Sequence, residues 1–148
     1  MKKIILMGRV GAGKTSLMQA LRGEVIQYRK TQYIEHGDVI IDTPGEYAEN
    51  AVLGRALALY TYEADVVGLL LSATEPYSLY PPCVTSCCNR LVIGIVTHID
   101  VPGGDSDRAE RWLRLAGCQI VFRVNSHDRN SVLEILEFLR EPGDPPVK

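Results

Sequence analysis

The stretch that decides the fold is Gly8-Arg9-Val10-Gly11-Ala12-Gly13-Lys14-Thr15, which fits the pattern G-x-x-x-x-G-K-[ST]. It directly follows an apolar run at residues 4–7, which predicts a buried strand, and it leads into a helix-compatible segment at 15–22. In this arrangement successive backbone N–H groups and the start of the helix point to one place and attract a phosphate. The pattern therefore predicts a phosphate-binding loop and, with it, nucleotide binding.

The residue types of the loop suggest individual roles. Lys14 is placed to reach the β- and γ-phosphates, and the hydroxyl of Thr15 is placed to bind Mg²⁺, a hard cation that takes oxygen ligands. The residues expected to contact the nucleotide here are Gly8, Val10, Gly11, Ala12, Gly13, Lys14, Thr15 and Ser16. The alternative is an ordinary glycine-rich turn between a strand and a helix.

Composition indicates one small soluble domain. The chain has 148 residues, of which 46% are hydrophobic and 23% charged, and its formal net charge of -2 offers no field that would attract nucleic acid. Neither an apolar run of about 18 residues nor a signal peptide is evident, so we expect a cytoplasmic protein without a membrane partner. The cysteines are expected to be reduced packing residues. They are Cys83, Cys87, Cys88 and Cys118.

Apolar runs alternate with helical patterns along the whole chain. Continuous apolarity is typical of strands buried on both faces of a parallel sheet. The predicted strands cover residues 4–7, 39–42, 66–71, 91–96 and 120–124, and the predicted helices cover 15–22, 50–63, 79–89, 106–115 and 130–140. This order predicts a doubly wound, three-layer α/β sandwich at residues 1–140, followed by a flexible Pro- and Gly-rich tail at 141–148.

A second motif, Asp42-Thr43-Pro44-Gly45, follows the predicted strand at residues 39–42. If this strand lies beside the loop-bearing strand, Asp42 can hold Mg²⁺ through water, and the N–H of Gly45 can bond a γ-phosphate oxygen. Loss of that phosphate would then release the segment that follows, which predicts a switch. Taken alone, the motif is also compatible with a plain turn.

The polar segment at residues 28–33 lacks periodicity and predicts a mobile loop. Thr31, within this segment, can cap Mg²⁺ when a triphosphate is bound. It can equally be an ordinary exposed threonine. The sequence leaves both interpretations of Thr31 open.

A further signal is Thr97-His98-Ile99-Asp100 at the end of a predicted strand, where guanine-binding proteins of this fold place Asn/Thr-Lys-x-Asp. The carboxylate of Asp100 can accept from the paired N–H donors of guanine, which adenine lacks. His98 replaces the lysine, so the preference for GTP over ATP stays open. Asp100 can alternatively cap the next helix or turn. Asn125 and Ser126 follow the last strand, where a backbone N–H would meet the base carbonyl.

Together these motifs resemble the ethanolamine- and propanediol-utilisation P-loop proteins of the EutP/PduV type, a branch of the Ras-like GTPase superfamily. The most particular marks are the stretches at residues 41–50 and 73–82, and the resemblance covers nearly the whole chain. It implies a P-loop NTPase fold with a mainly parallel five-stranded sheet. It also implies a cytoplasmic bacterial nucleotide-binding protein that works beside microcompartment shell or pathway proteins.

The spacing between the two motifs limits the length of any additional strand at the edge of the sheet. Only about 27 residues separate the loop from Asp42, which leaves little room for the antiparallel edge strand of Ras-like folds. We predict that this strand is absent or reduced to a few residues near 33–35. The exposed edge is then a place where a homodimer can form.

The predicted activity is Mg²⁺-dependent binding of GTP, with ATP as the alternative, and slow hydrolysis to GDP. Lys14 neutralises phosphate charge. Glu46 stands where Ras-like enzymes commonly carry a glutamine that orients the attacking water, and its negative charge repels the phosphates. Two rival functions are a phosphotransferase that uses ATP to form an acyl phosphate, and a nucleotide-bound recruitment module without catalysis.

Overall fold

The fold is built around a parallel five-stranded sheet, seen in a computed structural model. The structure describes residues 1–8, 12–32, 40–42, 64–78, 80, 82–88 and 90–144. The strands are β1 Ile4–Met7, β2 Ile40–Asp42, β3 Val66–Ser72, β4 Leu91–Thr97 and β5 Ile120–Arg123. The α-helices within these ranges are α1 Lys14–Gln32, α2 Ser106–Ala116 and α3 Arg129–Leu139, and a 3₁₀ helix spans Val84–Cys87.

The strand order places the start of the glycine loop at the end of β1, between the edge strand β2 and the central strand β3. The order is β2-β1-β3-β4-β5, and every pairing is parallel. All carboxyl ends therefore lie along the same edge, and the loop that follows β1 emerges between the ends of β2 and β3. The predicted parallel five-stranded sheet is confirmed, with β3 and β4 each one residue longer than predicted because Ser72 pairs with Thr97.

Alternation of side chains along the strands divides the core between the two faces of the sheet. On one face, strand residues pack with the buried residues of α1 and α3; the strand residues are Ile4, Leu6, Val66, Leu70, Ile93 and Ile95. On the other face they pack with Ala109, Leu113 and Ala116 of α2; these strand residues are Ile5, Met7, Val67, Leu69, Leu71, Val92 and Val96. The predicted three-layer sandwich is therefore confirmed.

Helix α1 continues past its predicted end at Arg22 to Gln32, so the mobile loop predicted at 28–33 is wrong as far as residue 32. Gly23 disfavours a helix just after the predicted end, but tertiary contacts override that preference. Val25 is buried, and Glu24 pairs with Arg129 of α3 at 3.1 Å. No helix in the described ranges, α1 included, has the length and apolar character needed to cross a membrane.

Thr31 lies in helix α1, far along its axis from Thr15. At about 1.5 Å per residue, Thr31 lies about 24 Å along the axis of α1 from Thr15. Ligands of one magnesium ion lie within about 2.1 Å of it. The two threonines are therefore too far apart to share an ion in this structure, and a metal role of Thr31 with a triphosphate bound stays a prediction.

The helix predicted at residues 79–89 is wrong where the structure describes this segment. It holds only the short 3₁₀ helix, which is preceded by Cys83 in the left-handed conformation (φ 60°) and followed by Cys88 in an extended one. Consecutive prolines at 81 and 82 explain the failure, since a proline steers the preceding residue away from the helical region. The helix predicted at 50–63 and the reduced edge strand near 33–35 lie outside the described residues.

The predicted flexible tail begins instead with a turn at residues 141–144. The N–H of Glu141 donates to the carboxylate of Asp144 at 2.9 Å, and the N–H of Asp144 donates to the carbonyl of Glu141 at 3.0 Å. The same carboxylate lies 2.9 Å from the ammonium group of Met1. This turn packs the end of α3 against the start of β1. Residues 145–148 lie outside the described part of the tail.

We expect the substitution Gly117→Ala to destabilise the fold by about 2 to 4 kcal/mol. Gly117 ends α2 with φ +114°, and a Cβ there would overlap the hydroxyl of Thr85. Urea unfolding would measure the loss. The matched control is Gly143→Ala, which has φ +96° but no atom within 4 Å of the added Cβ and should cost about 1 kcal/mol. Equal losses in the two variants would contradict the steric explanation.

Candidate functional site

The candidate site lies at the carboxyl edge of the sheet, beside the point between β1 and β3 where the strand order reverses. Open α/β sheets bind their ligands at such points. Gly8 begins the loop here, and a Cβ on Gly8 would lie 2.9 Å from the Cβ of Leu70. Only glycine allows this close approach to β3. Residues 9–11, which include the predicted ligands Val10 and Gly11, lie outside the described residues.

The loop ends at Gly13, where the backbone turns into α1 with φ +83°. The N–H of Leu17 donates to the carbonyl of Gly13 at 3.0 Å, so the first helical turn starts at Lys14. The first N–H groups of an α-helix have no carbonyl partner within the helix, and here they belong to Lys14, Thr15 and Ser16. Lys14 is half-buried, whereas the side chains of Thr15 and Ser16 are exposed. This geometry suits a phosphate group.

Thr97 fastens the loop to β4. Its hydroxyl donates to the carbonyl of Ala12 at 2.5 Å, and both residues are 1% exposed. The carbonyl of Thr97 in turn accepts from the N–H of Ala73 at 2.9 Å. The hydroxyl of Thr97 therefore bonds inside the protein, and the predicted contact of this residue with the nucleotide stays a prediction. Its role is to position the loop.

His98 lies between the loop and the end of β3. Its backbone adopts the left-handed conformation (φ 56°), which turns the chain out of β4. Its Nδ1 lies 2.7 Å from the hydroxyl of Ser72, and its Nε2 is 3.0 Å from the position that a Cβ on Gly13 would occupy. The imidazole thus packs directly against the loop, at the position in the motif where a lysine was expected.

Asp100 stands in an exposed turn next to His98. The N–H of Val101 donates to the carbonyl of His98 at 3.1 Å and closes this turn. The cap of α2 is Asp105, whose carboxylate accepts from the N–H of Arg108 at 2.9 Å. The alternative in which Asp100 caps the following helix is therefore wrong. Within the described residues no hydrogen bond occupies the Asp100 carboxylate, which can accept from a ligand.

Asn125 and Ser126 lie one strand further along the same edge. The N–H of Val124 donates to the carbonyl of Val96 at 2.8 Å, which holds the end of β5 beside the end of β4. The side chain of Asn125 accepts from the N–H of His127 at 2.9 Å and so stabilises its own turn. The structure brings this turn to the same edge as the Asp100 turn, and contact with a base stays a prediction.

The residues predicted to hold magnesium are only partly described. Asp42 ends β2 and pairs in register with Leu6 of β1, so its backbone lies at the carboxyl edge next to the loop-bearing strand. Thr15 exposes its hydroxyl at the start of α1. A hydroxyl and a carboxylate are oxygen ligands of the type Mg²⁺ prefers, and these two residue types fit such an ion. Gly45 and Glu46 lie outside the described residues.

Tyr80 is a structural residue of the site that the sequence reasoning missed. It is 5% exposed, and its hydroxyl lies 2.6 Å from the carbonyl of Leu70 and 3.3 Å from that of Met7. The last paired residues of β1 and β3 are Met7 and Leu69. At this end of the pairing, the hydroxyl of Tyr80 bonds to a carbonyl of each strand. Burial, with smaller contributions from Cys118 and Glu75, raises the pKa of Tyr80 above its ordinary value of 10.0. The sequence signal for Tyr80 is its position in the stretch at residues 73–82, which resembles the EutP/PduV-type proteins.

The cysteines fill different environments. Cys118 is buried, as predicted for a packing residue, and burial raises the pKa of its thiol to about 12. Cys83 is exposed, so the packing prediction is wrong for it, and Cys88 is half-buried. Cys83 precedes the 3₁₀ helix and does not share an α-helical face with Cys87. Among the described residues no group of three or more His, Cys, Asp or Glu side chains could hold a metal ion.

We expect Tyr80→Phe to lower the free energy of unfolding by about 1 to 3 kcal/mol at pH 8, because the buried carbonyls of Leu70 and Met7 lose the one hydroxyl donor that they share. The raised pKa stabilises the folded state fully below pH 10, the ordinary value, and this stabilisation is lost as the pH rises above it. The stability difference between the two proteins should therefore shrink above pH 10. Urea unfolding at pH 8 and pH 10.5 measures both effects, and a pH-independent difference would contradict the assignment.

One solved structure with a similar fold is the translation elongation factor SelB from Methanococcus maripaludis in its apo form. The TM-score is 0.53 at 15% sequence identity, and the match covers 91% of this chain and 32% of that one. The chain thus spans about a third of the factor's length. This likeness concerns the fold alone, and together with the phosphate-loop motif it establishes an α/β P-loop NTPase fold.

Comparison of the sequence with known proteins identifies the family. Residues 1–141 match the PduV-EutP model, described as ethanolamine utilisation - propanediol utilisation. The chain is 44% identical over 140 residues to the propanediol utilization protein PduV of Citrobacter freundii, and this match covers 94% of this chain and 93% of the relative. It is 34% identical over 142 residues to the probable acetate kinase EutP of Escherichia coli strain K12, and this match covers 94% of this chain and 89% of the relative. The chain therefore belongs to the PduV-EutP family.

Proposed function

We propose that the protein binds a purine nucleoside triphosphate with Mg²⁺, prefers GTP, hydrolyses it slowly and acts as a switch in ethanolamine or propanediol utilisation. The observation that carries the proposal is the attachment of Thr97 to Ala12. It joins the loop suited to phosphates to the turn that exposes Asp100. The loop would then bind the phosphates of a nucleotide, and the Asp100 turn would bind its base.

Different residues of the chain would bind the phosphates, the magnesium ion and the base. The N–H groups at the start of α1 and the ammonium group of Lys14 would neutralise charge on the β- and γ-phosphates. Thr15 and Asp42 would hold Mg²⁺, which when bound offsets further phosphate charge. The carboxylate of Asp100 would accept from the ring N–H and the amino group of guanine, a pair of donors that adenine lacks.

Slow turnover follows from the residue types near the predicted switch. Glu46 can accept a hydrogen bond from an attacking water, but it cannot donate one to the transferring phosphoryl group, and its charge opposes the approach of the phosphates. We infer that a partner supplies the missing donor. A microcompartment shell or pathway protein in the cytoplasm, or a second copy of the chain, is the proposed partner. The name of the Citrobacter freundii relative, a propanediol utilization protein, supports this setting.

Competition titrations of GDP, GTP, ADP and ATP with Mg²⁺ test the binding proposal. Wild-type protein should prefer the guanine nucleotides, and Asp100→Ala should lose about 10- to 100-fold in guanine affinity, since hydrogen bonds to a charged group contribute about 1.5 to 3 kcal/mol. Lys14→Ala should weaken all four. Glu134→Ala removes an exposed carboxylate from α3 and is the matched control. Equal affinity of the wild type for all four would contradict the guanine preference, and full affinity in Lys14→Ala would contradict nucleotide binding at the loop.

A second candidate function is a phosphotransferase. The relative from Escherichia coli, 34% identical, carries the name probable acetate kinase. In such a reaction a carboxylate oxygen attacks the γ-phosphorus of ATP, the bond from that phosphorus to the bridging oxygen breaks, and ADP leaves as the acyl phosphate forms. The same loop and Lys14 would stabilise the transferred group.

Incubation with ATP or GTP plus acetate or propionate separates the two functions. Hydroxylamine traps an acyl phosphate as a hydroxamate, and a phosphate assay follows hydrolysis. Under the switch proposal we expect slow phosphate release that depends on Lys14 and no hydroxamate above the level of Lys14→Ala. Hydroxamate formation that Lys14→Ala abolishes would contradict the switch proposal and support the phosphotransferase.

A further inference from the structure

The imidazole of His98 is held between two segments that are distant in sequence. Its Nδ1 pairs with the hydroxyl of Ser72, 26 residues earlier, at 2.7 Å. Its Nε2 side faces Gly13 so closely that a Cβ there would approach to 3.0 Å. The ring thus contacts both the end of β3 and the end of the phosphate loop.

Ser72 is a buried polar residue whose hydroxyl is well anchored. The residue is 2% exposed and lies in the sheet, where it pairs in register with Thr97. Its hydroxyl accepts from the N–H of Thr74 at 3.2 Å and lies 2.7 Å from the hydroxyl of Thr74. A serine hydroxyl has one proton and two acceptor sites, so these contacts and His98 together use its full capacity. Its position is therefore set independently of the loop.

The same geometry makes His98 dependent on Ser72. Rotation of the imidazole away from Gly13 would break the hydrogen bond at Nδ1 and leave the buried hydroxyl of Ser72 with one partner fewer, which costs free energy. A histidine side chain has only two rotatable bonds, so one hydrogen bond at the ring is enough to define its orientation. Removal of Ser72 would free the ring without altering any residue that touches the nucleotide.

We propose that Ser72 is a positioning residue for nucleotide binding, which acts by holding the imidazole of His98 against Gly13. The loop is then kept in the shape that receives the phosphates before the nucleotide arrives, so less ordering opposes binding. This inference rests on the proposed nucleotide binding and adds a residue that the motifs do not contain.

A double-mutant cycle tests the proposal, with Mg²⁺ and GDP as the ligand and calorimetry as the measurement. Ser72→Ala should weaken GDP binding about three- to tenfold in the wild-type background, as expected for one hydrogen bond. In the His98→Ala background the same substitution should change the affinity less than about 1.5-fold, because the route through the ring is already lost. A purely structural role of Ser72 would give equal losses in both backgrounds.

Further variants keep the test decisive. Ser131→Ala also removes a serine hydroxyl that makes a hydrogen bond, from α3 to its capping residue Asp128, and should leave GDP affinity unchanged. If Ser72→Ala fails to fold, Ser72→Cys can run the same cycle with a weaker hydrogen bond and a smaller expected loss. Equal effects of the Ser72 substitution in both backgrounds would overturn this inference alone. Absence of GDP binding by the wild type would overturn the proposed function as well.

Discussion

The hydrogen bond from Thr97 to the carbonyl of Ala12 is the interaction on which the site depends. Both residues are almost completely buried, so water cannot replace either partner when the bond is lost. The described part of the loop is also in close contact with Leu70 at Gly8 and with His98 at Gly13. The bond places the loop against the end of β4, and the turn that carries Asp100 follows directly from there. This contact therefore links the two halves of the candidate site directly.

Two glycines permit the close packing that this arrangement requires. Gly8 lets the loop start against Leu70, and Gly13 both adopts a left-handed conformation and faces the ring of His98. A side chain at either position would displace β3 or the imidazole. The glycines of the motif thus have a second purpose beside exposing backbone N–H groups to phosphate. They also let the neighbouring strands support the loop at short range.

The segment that follows β3 provides a third support. Ser72 orients His98, the N–H of Ala73 bonds to Thr97, and the hydroxyl of Tyr80 bonds to the carbonyls where β1 and β3 separate. Two buried polar side chains are thereby hydrogen-bonded beside the loop: Ser72 bonds to His98 and Thr74, and Tyr80 bonds to the carbonyls of Met7 and Leu70. Movement of this segment would also shift the loop, because buried polar groups oppose any motion that removes their hydrogen-bond partners. The segment is a structural part of the site although no nucleotide motif includes it.

The sequence by itself determined the phosphate-loop motif, the five parallel strands and the layers, because these follow from local spacing and from runs of apolar residues. It misjudged α1, since the burial of Val25 and the pairing of Glu24 with Arg129 outweigh the local effect of Gly23. Only the tertiary structure decided that Thr97 serves the loop, and that Ser72 and Tyr80 belong beside it. Those contacts join residues far apart in the chain, and neither periodicity nor a motif records which distant backbone atom a buried hydroxyl will meet.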